Sequence, residues 1–256
     1  MIFVLAGTTE ARKTVKLLKE NGFQVSASVV STYGYELLAG NGIAYLNQGI
    51  FDKEALIRCL RERETKFLVD ATHPFAKEIS KLAMEAAGKL GIEYIRLERQ
   101  GCELPDTPLI KKVEDLDEIE QYLQQGQNVF STLGSKNLPQ ITVMAQKVSA
   151  NLTVRVLPVI TSIRVCEELG LKPEQVVALK GPFSKELNKA LFREYKAQLI
   201  LTKESGDIGG FHEKLTAALD LNIQVIVVSR PKLKYPVVVD SPQNVLDYIN
   251  NRKVGF

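Results

Sequence analysis

The residues best suited to chemistry are Asp70, Thr72 and His73, in the run Val69-Asp70-Ala71-Thr72-His73-Pro74-Phe75-Ala76. Before them, Lys66-Phe67-Leu68-Val69 is a short apolar run that reads as a buried strand, and Pro74 prevents the ladder from simply continuing. A carboxylate, a hydroxyl and an imidazole thus fall where a strand ends, which in an open parallel sheet is where ligands bind. Imidazole alone among unperturbed side chains changes charge near neutral pH. His73 is therefore the group of this run best suited to proton transfer. An ordinary strand-to-helix turn, with Asp70 or Thr72 capping a helix from Phe75 onward, would use the same residues.

A second turn, Ala6-Gly7-Thr8-Thr9-Glu10, follows the first strand and opens a helix. Glycine permits close backbone approach and a helix start presents free N–H groups, so Gly7, Thr8, Thr9 and Glu10 are candidates for holding a dinucleotide phosphate. The turn is not GxGxxG, and a tight loop capped by Thr8 or Thr9 is the plain alternative. A fold that binds NAD usually carries a carboxylate about 20 residues past such a turn, for the ribose hydroxyl. Here the region reads Ser31-Thr32-Tyr33, with no carboxylate and with Arg12 and Lys13 near the turn. A 2′-phosphate meets no repulsion there, which favours NADP over NAD.

Later strand ends add cations. Lys136 follows Gly134, Lys180 precedes Gly181, Lys203 stands before Ser205 and Gly206, and Arg230 precedes Pro231. The Lys203–Gly206 segment is the best single candidate for a phosphate or carboxylate contact. Lysine serves there as a point charge, while arginine can grip a carboxylate with two bonds.

The elements that must position these groups alternate from the first residue. Strands are expected at 1–6, 25–30, 43–46, 66–69 and 94–97, with helices at 9–21, 36–39, 53–64 and 75–90 between them. Gly101, Pro105 and Pro108 mark a junction. Beyond it, strands at 128–132, 153–156, 176–179, 197–201 and 225–228 and helices at 115–125, 184–195 and 210–220 repeat the scheme. Apolar strands buried on both faces fit parallel pairing. The expected class is α/β: two doubly wound, Rossmann-like parallel-sheet domains, residues 1–100 and 101–256, facing a shared cleft.

Composition narrows the function further. A net charge of +3 without an arginine-rich run argues against nucleic acid. No stretch approaches the roughly 20 apolar residues that span a bilayer, and the chain opens directly on a strand, which favours the cytoplasm. Two histidines, with Cys59, Cys102 and Cys166 far apart, fit neither a disulfide framework nor a metal site. No signal for oligomeric state is present.

Taken in order along the chain, these segments resemble the precorrin-6A reductases of corrin-ring (vitamin B12) biosynthesis. The resemblance is carried by Leu5-Ala-Gly-Thr-Thr-Glu-Ala-Arg12, Ser31-Thr-Tyr-Gly-Tyr-Glu-Leu-Leu38, Gly49-Ile-Phe-Asp52, Asp70-Ala-Thr-His-Pro-Phe-Ala76 and Tyr94-Ile-Arg-Leu-Glu-Arg99. Gly134-Ser-Lys136, Lys180-Gly-Pro-Phe183, Thr202-Lys-Glu-Ser-Gly206 and Arg230-Pro231 extend it through nearly the whole chain. Ala6 and Thr9 depart from the family, whose members often carry glycines there.

The resemblance implies an NADPH-dependent oxidoreductase that saturates the C18–C19 double bond of an anionic tetrapyrrole, precorrin-6A or its cobalt form, with hydride to C19 and a proton to C18. It implies a dinucleotide near Gly7, Thr8, Thr9 and Glu10, with Ser31, Thr32 and Tyr33 around one of its ends. Asp70, Thr72 and His73 would line the reaction face, with His73 as proton donor and Asp70 orienting it or positioning a water. Thr72, Gly134, Lys203, Ser205 and Gly206 are assigned to cofactor, and Lys136, Lys180 and Arg230 to substrate carboxylates.

Two rivals remain. A short-chain reductase normally carries Tyr-x-x-x-Lys, but Tyr35, Tyr94 and Tyr195 are followed at that spacing by Ala39, Glu98 and Leu199. A non-catalytic NADP(H)- or anion-binding sensor would bind the dinucleotide without hydride transfer.

Overall fold

Residues 1–40, 42–99, 101, 103–206 and 209–253 are described by the computed structural model of the protein. The chain divides into two compact units, Met1–Gln100 with Pro231–Phe256, and Gly101–Arg230.

The first unit builds β1 (Ile2–Ala6), α1 (Thr9–Glu20), β2 (Val25–Val29), α2 (Thr32–Leu38), β3 (Tyr45–Gln48), α3 (Lys53–Glu62), β4 (Phe67–Ala71), α4 (Lys77–Leu90) and β5 (Glu93–Leu97). The second builds β6 (Ile110–Val113), a 3-10 helix at Leu116–Tyr122, β7 (Asn128–Ser131), α5 (Leu138–Lys147), β8 (Asn151–Val156), α6 (Ile160–Glu168), β9 (Val176–Ala178), α7 (Lys185–Glu194), β10 (Leu199–Lys203), α8 (Phe211–Asp220) and β11 (Gln224–Val228). Then β12 (Val238–Val239) and α9 (Pro242–Lys253) return to the first unit.

Burial explains why these runs are strands and helices. Every residue of β1, β2 and β4 is buried, as expected of parallel strands covered on both faces. Along β1, Ile2, Val4 and Ala6 pack with α1 and α9, while Phe3 and Leu5 pack with α3 and α4. Helix α1 buries Ala11, Val15 and Leu18, spaced four and three apart on one face, and Thr8 caps its start. In the second unit Phe130, Ile200, Val225 and Val227 pack against Phe192 of α7 and against Phe211, Leu215 and Ala218 of α8.

Both sheets are six-stranded, and every strand pair in them is parallel. The first runs β12-β5-β4-β1-β2-β3 and the second β6-β11-β10-β7-β8-β9. Strand order reverses between β1 and β4 in one and between β7 and β10 in the other. At such a reversal the connections leave in opposite directions and open a crevice beyond the strand ends.

Three sequence expectations need correction. Residues 231–256 do not belong with 101–230: β12 pairs with Arg96 and Leu97 of β5, and Val245, Leu246 and Ile249 of α9 join the core around α1. The short helix expected at 36–39 starts earlier, at Thr32, so Ser31 is its cap and not part of a free turn. The helix expected at 115–125 is a 3-10 helix that ends at Tyr122. Cys59 and Cys166 are buried free thiols, and Cys102 lies outside the described residues. Among the described residues no helix is long and apolar enough to cross a membrane, and no group of three metal-ligating side chains comes together.

Candidate active site

The turns after β1 and β4 meet at the first reversal point. Thr8 holds them together: its Oγ1 donates to the Ala71 carbonyl at 3.0 Å and accepts from the Ala11 N–H at 3.1 Å. One hydroxyl thus caps α1 and ties that helix start to the end of β4. Gly7 is exposed, and a Cβ there would lie 3.5 Å from Thr72 Cα and 3.6 Å from the His73 nitrogen. The glycine backbone therefore runs alongside the Thr72–His73 backbone. Thr9 accepts from Arg12 at 2.9 Å, and Glu10 pairs with Arg99 at 2.7 Å. That pair offsets a negative charge beside the helix start, where an anion would otherwise be repelled.

Asp70 does not lie on the exposed rim. It is fully buried in β4 and its carboxylate accepts four bonds. Oδ1 takes the Thr72 N–H at 3.0 Å, the Thr72 hydroxyl at 2.6 Å and Arg96 at 2.8 Å, and Oδ2 takes the Tyr94 hydroxyl at 2.6 Å. The Thr72 bonds form an Asx turn that fixes the backbone just before His73. Arg96, also fully buried, donates through Nε to Glu98 at 2.9 Å, and its guanidinium lies 5.3 Å from the Tyr235 ring centre. Burial by itself would lower Arg96, but the Asp70 and Glu98 carboxylates outweigh it and raise the guanidinium further. Burial, then the Asp70 charge, pushes the Tyr94 phenol far upward, so it remains a donor. The expectation that Asp70 serves His73 directly is corrected accordingly: every partner named for its carboxylate belongs to Thr72, Tyr94 or Arg96, and its part is to position the turn.

His73 is exposed, just beyond that turn. Its Nδ1 accepts the Phe75 N–H at 3.3 Å and its ring lies 5.8 Å from the Phe75 ring. With Nδ1 accepting, the neutral imidazole carries its hydrogen on Nε2.

The neighbouring β2 end carries Ser31, Thr32 and Tyr33. Ser31 accepts from the Gly34 N–H at 3.0 Å as the α2 cap, Thr32 accepts from Gln48 at 3.0 Å, and Tyr33 is exposed. The segment after β2, Val30-Ser31-Thr32-Tyr33, contains no carboxylate.

In the second unit, Gly134 and Lys136 follow β7, while Lys203 ends β10 and Ser205 and Gly206 follow it, on the two sides of the second reversal. Lys203 is half-buried, and burial, then the Lys136 charge, pushes its amine down to about 8. Arg230 bonds within its own neighbourhood. Its Nε donates to the Glu204 carbonyl at 3.0 Å, and a Cβ on Gly206 would come within 3.3 Å of its guanidinium. Gly206, at φ +74°, is therefore required by both backbone conformation and close approach. Lys180 is exposed after β9.

Tyr94, Arg96 and Glu98 escaped sequence reasoning as site residues, although their period-two spacing places them on one face of a strand whose apolar neighbours face the other way. That alternation was the available signal.

Comparison with known proteins follows the same path. A protein-family model described as precorrin-6x reductase CbiJ/CobK matches residues 1–250. The cobalt-precorrin-6A reductase of Methanocaldococcus jannaschii is 37% identical over 99% of this chain and 99% of its own length. That of Priestia megaterium is 33% identical over 98% of this chain and 99% of its own. A solved structure described as CobK precorrin-6A reductase matches with a TM-score of 0.78 at 23% identity, covering 98% of this chain and 96% of its own, and so shares the fold. On the family match across residues 1–250 and these identities, the chain belongs to the precorrin-6x reductase family.

Proposed function

We propose that the protein reduces the C18–C19 double bond of precorrin-6A, in its metal-free or cobalt form, with NADPH as reductant. The observation that carries this reading is the junction of the Gly7 turn with the Thr72–His73 turn at the β1/β4 reversal, in a chain of the precorrin-6x reductase family. The cobalt pigment is the first to test. Relatives named for it reach 37% identity and range down to 26%, against 29% for the precorrin-6A reductase of Mycobacterium tuberculosis.

The residues at the first reversal fit a dinucleotide. Gly7 carries no side chain where its backbone runs beside Thr72 and His73, and α1 opens two residues later with Arg12 in its first turns. The hydroxyls of Thr8 and Ser31 are engaged as helix caps, so their part is to shape the two turns. The absence of a carboxylate after β2 leaves a 2′-phosphate unopposed and favours NADPH over NADH. When bound, NADPH supplies the hydride for C19. The chain's own task is then to hold the macrocycle and deliver a proton to C18. His73, exposed on a turn that Asp70 and Arg96 hold rigid, is the residue proposed to do so. Lys136, Lys180 and Lys203 are proposed to meet anionic groups of the two ligands.

The test is anaerobic incubation with either pigment and NADPH or NADH, read by mass analysis. A gain of two hydrogens that depends on NADPH and is poor with NADH supports the reading. Tight NADPH binding with neither pigment altered would favour the sensor.

Gly7→Ala offers a sharper probe of the cofactor turn. The added methyl finds ordinary contact distances of 3.5 and 3.6 Å, so the protein should fold with unchanged Tm. It would occupy the space proposed for phosphate, and NADPH affinity is expected to fall by about tenfold, roughly the worth of one charge-assisted hydrogen bond. Isothermal titration together with thermal melting reads both quantities.

A further inference from the structure

Helix α6 is built inside out. A surface helix ordinarily turns its large apolar side chains inward and its small or polar ones to water. Here Ser162 and Cys166, four apart on one face, are buried, whereas Ile160 is 77% exposed and Ile163 40%. Leu157 and Val159, in the turn that leads into the helix, are 53% and 46% exposed, and Leu179, just past β9, is 40% exposed. Single exposed apolar residues are ordinary, but a group of them in one place marks a binding surface.

The backbone brings them together. β8 and β9 pair in parallel through Val156 and Ala178, and the Leu179 N–H extends that ladder to the Val156 carbonyl at 3.0 Å. Leu157 and Leu179 therefore leave adjacent strand ends. The Val159 N–H returns to the Leu157 carbonyl at 2.8 Å, and the Ile163 N–H closes the first turn of α6 on the Val159 carbonyl at 3.1 Å. On the buried side of that turn, Ser162 Oγ lies 3.2 Å from Ser135 Oγ, which fastens α6 to the Gly134-Ser135-Lys136 turn after β7. The patch thus sits at the carboxyl ends of β8 and β9, one strand from the β7/β10 reversal, on the side of a parallel sheet that takes ligands.

Charge narrows the occupant. Residues 121–166 contain no aspartate or glutamate, and neither do residues 175–185. The cations of these segments include Lys136 after β7, Arg164 one turn beyond Ile160 on α6, and Lys180 after β9, all exposed. An apolar face edged by cations, in segments free of carboxylate, complements a flat apolar molecule that carries carboxylates at its rim. A second copy of the chain seated face to face would set these same cations against one another, which disfavours it.

We propose that Leu157, Val159, Ile160, Ile163 and Leu179 form the platform on which one face of the tetrapyrrole rests. The identity of the ligand rests on the function proposed above, whereas the platform rests on the exposure and charge of these segments. Seating the ring there removes apolar surface of both partners from water, so binding offsets what the inverted helix costs the free protein.

The experiment is titration of the cobalt pigment and of its metal-free form, followed by visible absorbance, with NADP⁺ present because it carries no hydride to transfer. Ile160→Glu sets a carboxylate on the platform and should weaken pigment binding by about tenfold or more. Ile160→Met, equally apolar, should stay within about threefold of wild type. Leu179→Ser, from a different strand end, should weaken binding as well. Val143→Glu, at an exposed apolar position on α5, is the control and should leave it unchanged. All three positions face solvent, so Tm should hold in every variant, and NADP⁺ affinity with it.

Ile160→Glu and Leu179→Ser binding the pigment as wild type does would overturn the platform. So would a loss of self-association in Ile160→Glu with pigment affinity kept, which would assign the face to a second copy. A wild-type protein that binds the pigment through these residues, yet does not reduce it when NADPH replaces NADP⁺, would contradict the reductase reading and support the platform. A wild-type protein that binds neither pigment would overturn both.

Discussion

Replacing Arg96 by methionine is expected to cost about 3–5 kcal/mol of folding stability, the usual consequence of leaving one member of a buried ion pair uncompensated. Asp70 and Arg96 are both fully buried and stand 2.8 Å apart. Without the guanidinium, the carboxylate keeps the Thr72 and Tyr94 donors but loses the one opposite charge bonded to it among the described residues. Tyr94 does not substitute for it: its phenol is pushed upward by burial and then by Asp70, so it supplies a neutral hydrogen bond only. Denaturant unfolding measures the loss. The double variant Asp70→Asn with Arg96→Met should recover a substantial part of it, since no buried charge then lacks a partner. A single-variant cost below about 1 kcal/mol, the range of exposed pairs, would show that this pair does not hold the Thr72–His73 turn.

The second large effect falls on chemistry. His73→Ala is expected to lower kcat by about 10²–10⁴-fold, the typical worth of a positioned general acid. Stability and NADPH affinity should change little, because the ring is exposed and the Nδ1 bond to Phe75 is its local attachment to the turn. Asp70→Asn should behave differently, losing stability first and activity only as the turn loosens. Full kcat in His73→Ala with both ligands saturating would transfer proton delivery to solvent.

Much of this was legible in the sequence because the strands are short, apolar and buried on both faces. Phe67-Leu68-Val69 and Val225-Ile226-Val227-Val228 leave little alternative to β4 and β11, and the polar turns after them mark the strand ends. Thr8 could be read as a cap from its place before Thr9 and Ala11. What escaped was held by distant partners. Strand β6, Ile110-Lys111-Lys112-Val113, carries two lysines because it is an edge strand, and β12 is only two residues long. Neither announces which sheet it will join, so the return of residues 231–256 to the first unit was hidden.

Site residues divide in the same way. His73 and Gly7 follow from local turn chemistry, whereas the burial of Asp70 depends on Tyr94 and Arg96 arriving from β5. Lys214 sits in an apolar stripe with Phe211, Leu215 and Ala218, an inconsistency visible in the sequence; in the fold its Nζ donates to Thr202 Oγ1 at 3.1 Å.

The most direct test of the account is a label. Cobalt-precorrin-6A is incubated anaerobically with NADPH carrying deuterium at the transferring position of nicotinamide C4, and the product is analysed by mass and NMR. The account predicts one deuterium at C19 and a solvent-derived hydrogen at C18. A reduced pigment without deuterium at C19, or an unchanged pigment of both metal-free and cobalt forms beside a folded protein that binds NADPH, would contradict it.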